Sequence, residues 1–179
     1  MKTAIVAILA GSLLVASVAA LADRALCYTV MEDLADSRRS SRMWSGWGIV
    51  AAGGLFAVGF AALEEPALGV VLGGLFGALG AAVLLIPSET EREFAALDAL
   101  PASDQGTRCD VMLARLAESA KRLRYYYAIG EGAAAAGSLL LGSVTGFLTN
   151  LGGAAYYFIF PSDEEQAYQR YQDLLATSP

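Results

Sequence analysis

Few residues of this chain have the type and spacing for chemistry, and most come in matched sets. There are two cysteines, Cys27 and Cys109, and no histidine. Two thiols alone fall short of a four-ligand zinc site. Without histidine the chain lacks the commonest metal ligand and the commonest general base. In an oxidising compartment a cysteine pair forms a disulfide; otherwise it is two small buried thiols. Glu131 is the one charge embedded in an apolar run. An acid at membrane depth is a candidate ion or proton site, although Glu131 stands a short way along a helix from Arg124, near the edge of that run. Two basic sets, Arg38 with Arg39 and Arg42, and Lys121 with Arg122 and Arg124, each immediately precede an apolar run. Such cations suit lipid headgroups, each adding about 1 kcal/mol near a charged surface. No Ser/His/Asp set, phosphate loop or metal-ligand spacing is present. The expectation is therefore a chain that is not an enzyme and holds no metal or cofactor.

These residues are positioned by apolar hairpins. Trp44–Leu63 and Ala67–Ile86 are uncharged runs separated by Glu64-Glu65-Pro66. Each has about the 20 residues that a helix needs to cross a bilayer core. A second hairpin spans 125–160, with its turn expected near 142–150. Its two passes are short, each about 25 Å at 1.5 Å per residue, and would thin the bilayer or insert in part. Trp44, Trp47, Tyr125, Tyr126 and Tyr127 stand where an interfacial aromatic belt would be, with Tyr156 and Tyr157 near the end of the return pass.

The chain reads as an internal duplication. With Cys27 set on Cys109, an offset of 82 (109 − 27), Leu34-Ala35-Asp36-Ser37 falls on Leu116-Ala117-Glu118-Ser119, Arg42 on Arg124 and Gly48 on Gly130. Further on, Ile86-Pro87-Ser88-Glu89 matches Phe160-Pro161-Ser162-Asp163 at an offset of 74 (161 − 87). The second copy is thus shorter inside its apolar part. The expected fold is all-α, with tandem repeats over 23–100 and 107–177 joined by a linker, 101–106, and membrane hairpins at 44–87 and 125–160. Each repeat starts with an amphipathic helix, marked by Cys27, Val30, Met31 and Leu34 or by Cys109, Met112, Leu113 and Leu116 at helical spacing. Each ends with a short helix opened by an S-x-x-E capping box, Ser88 to Glu91 or Ser162 to Glu165. Leu97 and Tyr171 belong to the apolar edges of those last helices. A bridge between Cys27 and Cys109 follows from their equivalent places in the two copies.

Gly69, Gly73 and Gly77 recur every fourth residue, as do Ser138, Gly142 and Gly146. Small residues on one face let apolar helices approach closely in lipid, so both series are expected to form a helix–helix or subunit interface, the subunit being a second copy (a homo-oligomer) or another membrane protein. Apolar residues make up 56% of the chain and charged ones 17%, too few charges for an ordinary soluble domain. The formal net charge of −6 argues against a nucleic-acid partner. Residues 1–22 have the layout of a secretory signal peptide ending Ala20-Leu21-Ala22, the rival being an uncleaved anchor helix. Export would put the cysteine side outside the cytoplasm. The positive-inside rule opposes this, because every Lys and Arg after Ala22 lies on that side. The cleavage signal and the cysteine pair favour export. The functional expectation is a structural or interaction protein of a cell-envelope membrane. The alternative is a small transporter or channel component that uses Glu131.

Overall fold

A computed structural model describes the backbone over 2–177 and the side chains over 25–177. The expected leader, 1–22, lies outside the fully described residues. Six helices follow in order: α1 (Lys2–Ala62), α2 (Pro66–Leu85), α3 (Glu89–Asp98), α4 (Ala102–Leu140), α5 (Val144–Ile159) and α6 (Asp163–Thr177). There is no strand among the described residues, so the fold is all-α. In α1 and α4 the amphipathic stretch and the first arm of the hairpin are one continuous helix.

The chain divides into two compact units, a middle unit of Glu32–Ala99 and a disulfide unit of Met1–Met31 with Leu100–Pro179. These compact units are a different division from the sequence repeats read over 23–100 and 107–177. The reason is local. Cys27 is bonded to Cys109, which ties that part of α1 to α4.

In the disulfide unit, Cys27, Val30, Met31, Cys109, Leu113, Leu116 and Tyr171 are buried. They include most of the two stripes whose spacing predicts amphipathic helices; Met112 is half-buried, and Leu34, also buried, belongs to the middle unit. The Tyr171 hydroxyl donates to Asp110 Oδ1 and fastens α6 to α4. Helix α4 ends in a Schellman turn: Ser143 N–H donates to the Ser138 carbonyl at 2.8 Å and Gly142 N–H to that of Leu139 at 3.0 Å. Gly142 holds the left-handed conformation this motif requires, φ 75°. Gly142 is therefore a turn residue, and Ser138, Gly142 and Gly146 do not form one helix face as expected. Ser138 and Gly146 meet instead across the turn, on α4 and α5, where a Cβ on Gly146 would lie 2.9 Å from Ser138 Oγ.

The middle unit turns in the same way. Glu65 N–H donates to the Phe60 carbonyl at 2.9 Å and Glu64 N–H to that of Ala61 at 3.3 Å, with Glu64 at φ 63°. Pro66 then opens α2 at the first-turn position, where its missing N–H costs nothing. The arms of this hairpin meet along glycine. A Cβ on Gly80 would lie 2.8 Å from the Gly46 carbonyl oxygen, one on Gly53 3.0 Å from that of Gly73, and one on Gly69 2.8 Å from that of Ala57. Val50, Phe76 and Leu84 fill the space beside these glycines, and most of the other large side chains point away. Leu55, Val58, Leu68, Val70, Val71, Leu75 and Leu79 are all exposed. Two segments among the described residues, Ala25–Ala62 and Pro66–Asp98, are long and apolar enough to cross a membrane, and only 11% of each apolar window is buried. Helix α5, at 16 residues, spans about 24 Å and is shorter than a bilayer core of about 30 Å.

Gly69 and Gly73 thus serve contact within one hairpin, whereas a Cβ on Gly77 would meet nothing within 4 Å. Gly73→Leu should pry the arms apart and lower the melting temperature in detergent, by an amount corresponding to about 3 kcal/mol. Gly77→Leu should melt within about 0.5 kcal/mol of the parent. Equal effects of the two substitutions would contradict this seam.

Candidate functional site

Each hairpin closes at its open end on one arginine. In the middle unit, Arg42 reaches from α1 to the last turn of α2, where Nη1 donates to the carbonyls of Val83, at 3.3 Å, and Leu84. The last carbonyls of a helix have no intrahelical partner and carry the negative end of its dipole, so a guanidinium there satisfies both. The same side chain grips the next helix. Nε donates to Glu91 Oε2 and Nη2 to Glu91 Oε1, both at 2.9 Å. Glu91 is the third residue of the capping box of α3. Its carboxylate accepts from Ser88 N–H at 2.7 Å, and its own N–H donates to Ser88 Oγ at 3.3 Å. One guanidinium therefore joins a hairpin arm, the end of the return arm and the start of the following helix.

The disulfide unit contains the same clasp. Arg124 Nη1 donates to the carbonyls of Tyr157 at 2.7 Å and Phe158 at 3.0 Å. Nε donates to Glu165 Oε2 at 2.8 Å and Nη2 to Glu165 Oε1 at 3.1 Å. Ser162 and Glu165 complete a reciprocal box at 2.9 and 3.3 Å. Tyr125 lies against the Arg124 guanidinium, 4.8 Å from its ring centroid, and stands edge-on to Phe158. Tyr127 stacks on Tyr157 at 5.4 Å.

The clasps are sheltered from water. Side-chain exposure is 16% for Arg42 and 12% for Glu91, and 11% for both Arg124 and Glu165. The hydrogen bonds from Arg42 hold the Glu91 carboxyl down to about 2, against the opposing effect of burial. Burial pushes the Glu165 carboxyl up, but hydrogen bonds from Arg124 and Ser162 outweigh it and the net shift is downward. Arg124 is raised in turn, chiefly by its bond to Glu165.

Arg42 and Arg124 were expected to face lipid headgroups, and the geometry corrects this. Their donors are committed to the protein. Of the remaining cations, Arg38 is half-buried and has a partner within the protein. Arg39 and Lys121 are exposed. Arg122 is exposed and pairs with Glu118 at 3.0 Å, a surface contact of small energy. Glu131 is half-buried, its carboxylate beside Gly153 on α5, where an added Cβ would stand 3.2 Å from Glu131 Cδ. Farther along the same seam Asn150 Nδ2 donates to Ser138 Oγ at 3.2 Å. The cysteines form a disulfide with a Cα–Cα distance of 6.1 Å, and both are buried. Among the described residues no cluster of His, Cys, Asp and Glu could hold a metal ion.

No protein-family model, curated protein or solved structure matches the chain.

The depressed carboxyls fix the sign of a pH effect. Glu91 titrates at about 2 in the folded chain against an ordinary 4.5. Its contribution is complete above about 4.5 and is lost as pH falls from there toward 2. Glu165 acts in the same direction. The melting temperature in detergent should be flat above pH 5 and fall below 4.5, with a loss on the order of 2 kcal/mol from the Glu91 clasp after allowance for solvent screening at the rim. Glu91→Gln should flatten the acid limb of that profile. Arg42→Lys, which has no planar fork, should cost about 2 kcal/mol at neutral pH. A Lys variant as stable as the parent would contradict the two-helix role of the guanidinium.

Proposed function

We propose that this chain is a structural or interaction protein of a cell-envelope membrane, built from two related hairpin units and packing in the bilayer with itself or with another membrane protein. The observation that carries this reading is the inverted packing of the middle hairpin. Gly46, Gly53, Gly69, Gly73 and Gly80 lie where its arms touch, while Leu55, Val58, Leu68, Val70, Val71, Leu75 and Leu79 are exposed. In water an apolar surface of that extent is costly and marks an interaction face. In hydrocarbon it is the natural exterior, and close glycine contact becomes the main source of helix association.

Several features support the duplication. The clasp arginines are related by 82 residues (124 − 42) and the clasp glutamates by 74 (165 − 91). The left-handed turn residues, Glu64 and Gly142, are related by 78 (142 − 64). The shortening is thus divided equally between the two arms, about one helical turn from each. Removing whole turns leaves the inward faces in register, which supports a common plan for both units. The buried disulfide suits an extracytoplasmic cysteine side, where such bonds persist.

A second reading rests on Glu131. Its half-buried carboxylate lies beside Gly153 in the seam of the second hairpin, with the Ser138–Asn150 pair farther along. This line of polar groups favours a small transporter or channel component. Glu131→Gln should abolish ion flux from reconstituted vesicles under that reading and leave flux unchanged under the first.

The membrane assignment is tested by fractionation of the full chain. It should remain with the membrane pellet through alkaline carbonate and should float with lipid on a density gradient. Release by carbonate would contradict integral insertion.

A further inference from the structure

One face of α1 combines charge and aromatic groups that the clasp does not use. Asp36, Arg39, Ser40, Met43, Trp44 and Trp47 line a shallow groove of about 380 Å³. Their spacing of three and four places them on one helix face. Their order along the axis carries the argument. Trp44 and Trp47, both exposed, begin the apolar run. Arg39 stands outward of Trp44 by five residues, a rise of about 7.5 Å, and Asp36 lies about 4.5 Å beyond Arg39. From the bilayer outward the face therefore presents an apolar and aromatic surface, then a cation, then an anion. A zwitterionic aminophospholipid presents the complementary sequence: acyl chains and glycerol, then phosphate, then a primary ammonium.

Both charges are available. Neither Asp36 nor Arg39 has an ion-pair or hydrogen-bond partner among the described residues, and both are exposed. The corresponding face of α4 differs at one decisive position. There Arg122, which aligns with Ser40 at the offset of 82 (122 − 40), holds Glu118 in an ion pair. Ser40 cannot do this for Asp36. The acid of the middle unit is left open to a cation from outside, and it would repel a headgroup bearing a second negative charge.

We propose that this face of α1 seats one zwitterionic aminophospholipid, its phosphate on Arg39, its ammonium on Asp36, and its glycerol and upper chains against Met43, Trp44 and Trp47. The inference rests on the membrane reading above and adds a lipid class to it. The Arg39 guanidinium offers a fork to phosphate oxygens. The Asp36 carboxylate accepts from a primary ammonium, whereas a quaternary one has no N–H to give. The indoles add apolar contact at the interface where such rings reside.

The chain has two tryptophans, and both line this groove, so intrinsic fluorescence reports on it directly. The test places the full chain in phosphatidylcholine bilayers with a minor fraction of one acyl-brominated lipid: phosphatidylethanolamine, phosphatidylglycerol or phosphatidylcholine. Brominated phosphatidylethanolamine should quench about fivefold more per mole than brominated phosphatidylcholine, and more than brominated phosphatidylglycerol. Asp36→Asn should remove the preference for ethanolamine over glycerol headgroups. Ser40→Arg, which supplies Asp36 with the partner that Glu118 has, should do the same without deleting either charge. Arg39→Gln should weaken quenching by the anionic phosphatidylglycerol relative to phosphatidylcholine and leave the preference for ethanolamine over choline, which Asp36 sets. Equal quenching by all three lipids, or a preference for phosphatidylglycerol in the parent, would overturn the headgroup site and leave membrane insertion standing. Absence of quenching by any of them would overturn both.

Discussion

A single guanidinium at the open end of each hairpin is the interaction on which the rest depends. Arg42 and Arg124 each join three helical segments that have no other strong reason to meet there. The hairpin arms themselves attract only weakly. In the middle unit they touch mainly at Gly46, Gly53, Ala57, Gly69, Gly73 and Gly80, and many of their large side chains are exposed. Close packing of small residues supplies van der Waals contact along the length of the arms but little directional preference at their ends. The guanidinium provides that direction. It satisfies the last carbonyls of the return helix and neutralises the first turn of the next one. The capping box then sets the angle at which the chain leaves the hairpin.

This arrangement separates two kinds of force along one axis. At the turns, Schellman hydrogen bonds reverse the chain with few side-chain contacts. Through the apolar stretch, backbone approach at glycine brings the arms together. At the open ends, charge-assisted hydrogen bonds act in a sheltered but not dry setting, where they are stronger than at a free surface and cost less desolvation than in a deep core. The disulfide adds a fourth constraint. It closes a long loop between Cys27 and Cys109, worth about 4 kcal/mol in the chain-entropy model, and fixes α1 to α4 at Cys27, inside the helix.

Much of this was legible in the sequence, where the signal was local or repeated. Both capping boxes are visible as S-x-x-E. The buried stripes of α1 and α4 follow from helical spacing, and the bridge follows from the equivalent places of Cys27 and Cys109. The clasp is not legible there. Arg42 and Arg124 stand next to other cations, and a basic cluster before an apolar run has the same appearance whether its charges face lipid or protein. One signal would have separated them. Each is the basic residue nearest its apolar run, and each capping box has a glutamate at the same offset of 74 as the residues around it. Glycine spacing, similarly, identifies a face but not what the face meets. Gly69 and Gly73 proved to serve their own hairpin, and Gly142 a turn.

The central claim is that each arginine couples the hairpin to the helix that follows it. A double-mutant cycle on Arg124 and Glu165, read by reversible unfolding of the full chain in detergent at neutral pH, tests it most directly. Arg124→Met, Glu165→Gln and the double variant complete the cycle with the parent. The geometry predicts a coupling energy of about 2 kcal/mol between the two sites, because each single variant leaves a sheltered charged group without its partner. Additive effects, within about 0.5 kcal/mol, would contradict the clasp as the element that holds the structure together.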